Sequence, residues 1–256
     1  MKKIEIWRIC VYFIIYSIIG FVLETVFAFL AYHVIESRQS FLYGPFCTIY
    51  GIGAISMILI LSKYDKNNIK LFLGGMLVGS LSEYMISLIG EKIFGMRFWD
   101  YSNEILNING RVCLSFSIIW GIAAFILIKY INPCIDHNLE KFCINDKRIK
   151  FIRVMVWICI MFILIDCIVT YIVVDFFIVE SAKKYNLELK GTYGAEIIYN
   201  YTQKNHNFKE ILTKYATADR IILALPNLGA TLKDGTQIKL QDLTPGIKNC
   251  YYRFKN

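Results

Sequence analysis

Apolar residues in this chain come in long runs and do not alternate with polar ones at the period of a strand or of a surface helix. Five runs, at 9–31, 44–61, 71–90, 112–128 and 154–174, are long enough to cross a bilayer, which takes about 20 residues. The fourth is the shortest. The first is interrupted only by Glu24; it is too long for a signal-peptide core and no small-x-small cleavage pattern follows it, so it is expected to remain a span. Residues 175–256 are polar. Their first part, 175–190, reads as a helix lying along the membrane surface. Residues 229–240 read as a hairpin, with Asp234-Gly235 at the turn and alternating apolar and polar flanks. The expected fold is therefore an all-α membrane protein: a five-helix transmembrane bundle over 1–174 with a small polar α+β C-terminal tail over 175–256.

Composition agrees. With 56% hydrophobic residues, 19% charged residues and a mean hydropathy of +0.48, the chain is neither a disordered tail nor a fibrous repeat. A formal charge of +8 could suggest nucleic acid, but the cations sit between the apolar runs, where membrane orientation already requires them, so no nucleic-acid partner is expected. Lys2, Lys3, Arg8, Lys63, Lys66, Lys70, Lys129, Lys141, Lys147, Arg148, Lys150 and Arg153 fall on one side, against Arg38, Lys92, Arg97 and Arg111 on the other. That bias predicts a multi-pass protein of the cell membrane with a cytoplasmic N-terminus, and five crossings then leave the tail outside. Lys183, Lys184 and Lys190, close behind the fifth run, pull against that last step. The eight cysteines show no C-x-x-C, and the three histidines are scattered, so neither metal nor cofactor is expected. Cys47 and Cys113 fall near one membrane face, which leaves a disulfide open beside the reading of both as small apolar residues.

Three acids lie inside apolar runs. At 1.5 Å per residue, Glu24 is about 22 Å and Glu83 and Asp166 about 18 Å from the cytoplasmic end of their helices. Such acids face a bundle interior or a wet cavity and are candidates for function, with buried packing as the plainer alternative. Their neighbours fit an interior position: Ser17, Gly20 and Glu24 share a helical face, as do Gly75, Gly79, Glu83 and Ser87, and Asp166 with Thr170. The outer loops add Arg38, Tyr43 and Tyr50, then Glu91, Arg97, Trp99, Asp100, Tyr101, Asn107, Asn109 and Arg111. The aromatic ones also suit interfacial anchors. Arg97 and Arg111 run against the charge bias, which points to pairing with Glu24, Glu83, Glu91 or an anionic ligand. These fourteen residues, with Glu24, Glu83 and Asp166 at the centre, form the candidate ligand site. No P-loop, H-E-x-x-H or G-x-S-x-G motif occurs, so no catalytic residue is assigned.

At Gly20 to Glu24, Phe41 to Gly51, Glu83-Tyr84, Glu91 to Ser102, Asn107 to Leu114, Asp166 with Thr170, and Pro226-Asn227-Leu228 before Asp234-Gly235-Thr236, the sequence resembles a bacterial membrane family labelled putative ABC-transporter permease (type IV, CmpB-type). Thr48 stands where that family has proline. The family label points to transport, and the outer polar residues, the intramembrane acids and the basic inner loop 129–153, a docking place for a partner, fit a permease or membrane substrate-binding subunit that borrows its ATPase from another chain. Five spans are few for a translocation path, so a homo-oligomer or a further subunit goes with that reading. Two others remain open: a non-catalytic accessory or scaffold protein that uses its tail, and an enzyme acting on lipid or envelope precursors, with Glu24, Glu83 or Asp166 as base and Arg97 and Arg111 on phosphate.

Overall fold

The computed structural model describes residues 5–35, 37–94, 96–189, 193–215, 217–234, 236–239 and 252–253. The helices are α1 (Ile6–Tyr32), α2 (Thr48–Leu61), α3 (Asn68–Phe94), α4 (Leu114–Ile126), α5 (Asn132–Phe142), α6 (Asp146–Lys184), α7 (Tyr193–Lys204), α8 (His206–Tyr215) and α9 (Ala218–Ala224). The short strands are β1 (Val34–Ile35), β2 (Met96–Arg97), β3 (Gly229–Thr231), β4 (Gln237–Lys239) and β5 (Tyr252–Arg253). Among the described residues, four helical stretches are long and apolar enough to cross a membrane: Ile6–Ala31, Asn68–Lys92, Leu114–Phe142 and Asp146–Lys184. Bulky apolar side chains such as Leu30, Leu77, Ile119 and Ile168 stand exposed on them, as a lipid-facing surface requires. The run 44–61 gives a shorter helix. Gly44, at φ 77°, and Pro45 form a turn, so α2 starts only at Thr48 and its 14 residues span about 21 Å.

Two other elements differ from the sequence reading. Residues 129–153 are largely helical: α4 passes through a π turn at Leu127–Ile131 into α5, with Pro133 in the first turn of α5, where its missing N–H costs least. Residues 175–184 do not form a surface helix of their own but extend α6, because Phe176, Phe177 and Ile178 are core residues. Asn186, at φ 52°, ends α6 in a left-handed cap, with the Leu187 N–H returning to the Ala182 carbonyl at 2.8 Å.

The chain divides into two compact units. The first comprises the residues up to Gly20, Thr48–Ile86 and Asp100–Ile163; the second comprises Phe21–Cys47, Ser87–Trp99 and everything from Leu164 on. The core of the first unit joins Tyr12 and Tyr16 of α1, Met57 and Leu61 of α2, Leu71 and Val78 of α3, and Ala124 of α4. Small residues set its helix spacing. A Cβ at Gly79 would lie 2.5 Å from the Trp120 side chain, and one at Gly51 would strike Ser17 and Phe13 of α1.

In the second unit, Val173 to Ile178 of α6 pack with Leu212 of α8, Ile221 and Ala224 of α9, and Leu42. A three-stranded antiparallel sheet, ordered β2-β3-β4, joins Arg97 to Gly229 and Thr231 to Gln237. The expected hairpin is present as β3–β4, although Gly235 and Leu240 lie outside the described residues. Thr236 donates its N–H to Asp234 Oδ1 at 2.8 Å, holding that carboxyl below the usual range.

Gly79→Ala is expected to lower the unfolding temperature in detergent by the equivalent of about 1–3 kcal/mol, the usual cost of overpacking. Gly53→Ala, whose Cβ would meet the Trp120 ring at an ordinary 3.5 Å, should leave stability unchanged or raise it by up to about 1 kcal/mol. Equal shifts in the two variants would refute a tight α3–α4 approach.

Candidate functional site

The first unit gathers polar side chains among its apolar helices. Residues 100–112 form a loop braced by its own side chains. Asp100 accepts from the Ser102 N–H at 3.0 Å and from its hydroxyl at 2.6 Å. Asn107 donates to the carbonyls of Ser102 and Glu104 and accepts from the Gly110 N–H. Asn109 and Gly110, at φ 54° and 65°, make a tight turn that closes with Arg111 N–H donating to the Ile108 carbonyl at 3.0 Å. The loop thereby delivers two groups to the helices. Tyr101 stacks on Phe116 with centroids 4.6 Å apart and donates its hydroxyl to Glu83 Oε1 at 3.1 Å. Arg111, 6% exposed, lays its guanidinium 5.7 Å from the Tyr84 ring centre. From α4, the Trp120 indole N–H donates to Glu83 Oε2 at 3.2 Å, and its ring lies 5.6 Å from that of Tyr50. Glu83 itself is 4% exposed. The stripe of Gly75 and Gly79 is what admits Trp120 and Ala124 so close to α3.

The second unit holds the other acids, each in a different arrangement. Asp166, 3% exposed, accepts the Tyr43 N–H with both oxygens, at 3.2 and 3.1 Å, and the Thr170 hydroxyl at 3.2 Å. Thr170 in turn accepts the Leu42 N–H at 2.9 Å. Two residues one turn apart on α6 thus fasten the backbone of the 37–47 loop. Glu24 pairs with Arg38 at 3.6 Å, and Glu91 with Arg97 at 2.8 Å. The Glu91–Arg97 contact is one of the pairings anticipated for that arginine. Trp99 is half-buried with its ring 6.3 Å from Phe98. Tyr43 is exposed, its hydroxyl accepting from Arg220 at 3.2 Å.

Of the fourteen candidates, then, Tyr50, Glu83, Asp100, Tyr101, Asn107, Asn109 and Arg111 belong to the first unit, and Glu24, Arg38, Tyr43, Glu91, Arg97, Trp99 and Asp166 to the second. Asp100 and Asn107 shape their loop, whereas Glu83, Tyr101 and Tyr50 come together around Trp120, and Asn109 and Arg111 around Tyr84. Trp120, Tyr84 and Arg220 were not among the candidates. A tryptophan at the middle of an apolar run, in a chain whose third run carries a Gly-x-x-x-Gly stripe for close helix contact, is the signal that could have found Trp120.

A further polar network in the first unit also escaped the sequence reading. Tyr12 donates its hydroxyl to Asp136, Asn132 donates to Asp136 at 3.1 Å, Tyr16 donates to Asn132 at 3.0 Å, and Arg8 reaches Asp136 at 3.9 Å and Glu140 at 3.7 Å. The four-residue spacings Tyr12/Tyr16 and Asn132/Asp136 were visible. What brings them together is the π turn before Pro133. Among the described residues no three His, Cys, Asp or Glu side chains converge as metal ligands, and the seven cysteines there form no disulfide with one another.

Long apolar helices carrying buried, partnered carboxylates define a multi-pass membrane protein. The chain belongs to the family described as Putative ABC-transporter type IV, which matches residues 11–171. No curated protein and no solved structure matches it.

Asp166→Ala would leave the Tyr43 N–H and the Thr170 hydroxyl without their acceptor, and a loss of about 1–3 kcal/mol for each buried group so orphaned is expected in detergent unfolding. Asp166→Asn keeps one oxygen and should lose clearly less. Equal stability of Asp166→Ala and the parent would show that the clamp contributes nothing.

Proposed function

We propose that this chain is the membrane-spanning subunit of an ABC-type transporter whose ATPase is a separate chain, with its ligand site centred on Glu83. The observation that carries the reading is a carboxylate buried within an apolar helix that accepts from two side chains able to rotate, Tyr101 and Trp120. Both donors are neutral and can rotate away to let a ligand group replace them. Arg111 and Asn109, gathered on Tyr84, the residue after Glu83, supply a cationic and an amide group for a polar substrate.

The topology that fits is five crossings, N-terminus in the cytoplasm and the tail outside. Counting α2 as the remaining crossing is supported by Tyr64 just after it, where Lys63 and Lys70 lie 5.0 and 5.7 Å from the ring centre, as at a membrane interface. The α5–α6 turn then faces the cytoplasm with Lys141, Lys147, Arg148 and Lys150. The network of Arg8, Tyr12 and Asp136 ties it to α1, which makes it the natural seat of an ATPase. The same topology calls for a second copy or a further subunit to complete a path.

Purification of the tagged protein from its native membrane in mild detergent is expected to recover an ABC-type ATPase in stoichiometric amount. A lone homo-oligomer would overturn the transporter reading. In that complex Glu83→Gln should fold and assemble normally yet lose substrate-stimulated ATP hydrolysis, as read by phosphate release; full stimulation would remove Glu83 from the site.

A further inference from the structure

The second unit presents an apolar face that its own core does not use. On α7, Ile197 and Tyr201 are 54% and 55% exposed, four residues apart and therefore on one side of the helix. On α8, Ile211 and Tyr215 repeat the pattern, 54% and 42% exposed. Lys204 and Lys214, both exposed, lie on the same faces, in the last turn of each helix. Glu196 and Glu210 each precede the isoleucine and stand about 100° away from it.

What covers this face follows from its level along α6. The apolar run 154–174 rises about 31 Å, the thickness of the hydrocarbon core. The α6 residues around which α7, α8 and α9 pack are Ile172 to Ile178, joined by Ile198 and Tyr199 of α7, Phe208 and Leu212 of α8, and Ile221 and Ala224 of α9. That segment is where the run ends and the first polar layer begins. The short helices thus collar α6 at the depth of the lipid headgroups, and their outward side chains suit that layer: isoleucine for the acyl boundary, tyrosine for the interface, and lysine reaching back to phosphate.

We infer that α7 and α8 rest on the bilayer through Ile197, Tyr201, Ile211 and Tyr215, with Lys204 and Lys214 on lipid phosphate. The occupant of the face is the leaflet from which α6 emerges. This anchor is independent of the transporter reading and of which side of the membrane the tail occupies. It holds the second unit against the surface without a further spanning helix.

The test uses the full chain in nanodiscs of phosphatidylcholine with phosphatidylglycerol, carrying a photoreactive benzoylphenylalanine in place of Ile197 or Ile211. The same label at Ile168, exposed within the apolar run of α6, marks lipid contact, and at Glu188, exposed past the end of α6, marks its absence. After irradiation, mass spectrometry should find a lipid-mass adduct at Ile197, Ile211 and Ile168 and none at Glu188. Crosslinking of Ile211 to a second copy of the chain, or lipid adduct at Ile168 alone, would overturn the proposal. A second readout avoids the bulky label: the fluorescence added by Tyr215→Trp should be quenched by lipids brominated near the top of the acyl chain. Unquenched emission would equally overturn it.

Discussion

An acid placed within an apolar membrane helix costs about 2.5–3.5 kcal/mol on insertion scales unless the protein supplies partners for it, and much of this molecule is arranged around supplying them. For Glu83 the supply requires three features of sequence at once. Gly75 and Gly79 remove the side chains that would hold α4 away, Trp120 then comes close enough to turn its N–H onto the carboxylate, and the 100–112 loop brings Tyr101 from the other direction. The left-handed Asn109-Gly110 turn is part of the same requirement, because it folds the loop back and sets Arg111 against Tyr84. None of these parts explains itself alone.

Asp166 meets the same constraint by another route, and the difference bears on function. Its partners are the backbone N–H of Tyr43 and the hydroxyl of Thr170, which relays to the N–H of Leu42. Backbone donors cannot swing away without moving the chain, so this acid serves as a fastening for the loop ahead of α2. The Glu24–Arg38 and Glu91–Arg97 pairs are partly exposed, where such contacts add at most about 1 kcal/mol. Among the described residues the acids are thus held differently: Asp166 by backbone and hydroxyl donors, Glu24 and Glu91 in ion pairs near the surface, and Glu83 with the rotatable donors Tyr101 and Trp120 among its partners. That difference is what the proposed ligand site at Glu83 draws on.

Four of the five expected spans were legible because hydrophobicity integrates over many residues, and the small-residue stripe beside Glu83 was legible because its four-residue spacing repeats. Where helices stop was less so. Nothing in the run 44–61 alone says that Gly44 adopts a positive φ and delays α2 to Thr48; that depends on the loop being fastened by α6, more than a hundred residues away in sequence. The extension of α6 to Lys184 was hidden for a related reason. Asp175 reads as the end of an apolar run, whereas Phe176 to Ile178 continue the helix because α8 and α9 bury them. Tertiary partners decide both boundaries. Pairings followed the same rule: Arg97 with Glu91 could be anticipated at six residues' separation, while Trp120 with Glu83 needed the helix contact itself.

The π turn at Leu127–Ile131 shows how one local irregularity can serve a distant need. Proline at position 133 removes a backbone donor, and the wider turn ahead of it carries the helix past that gap without a break. It also resets the rotational phase, so that Asn132 and Asp136 face Tyr12 and Tyr16 of α1 instead of continuing the lipid-facing surface of α4. A straight helix of the same length would have left Asp136 to find a partner elsewhere and α5 with no attachment to α1. The phase shift therefore turns a helix that only crosses into one that also crosslinks the first unit at its lysine-rich end.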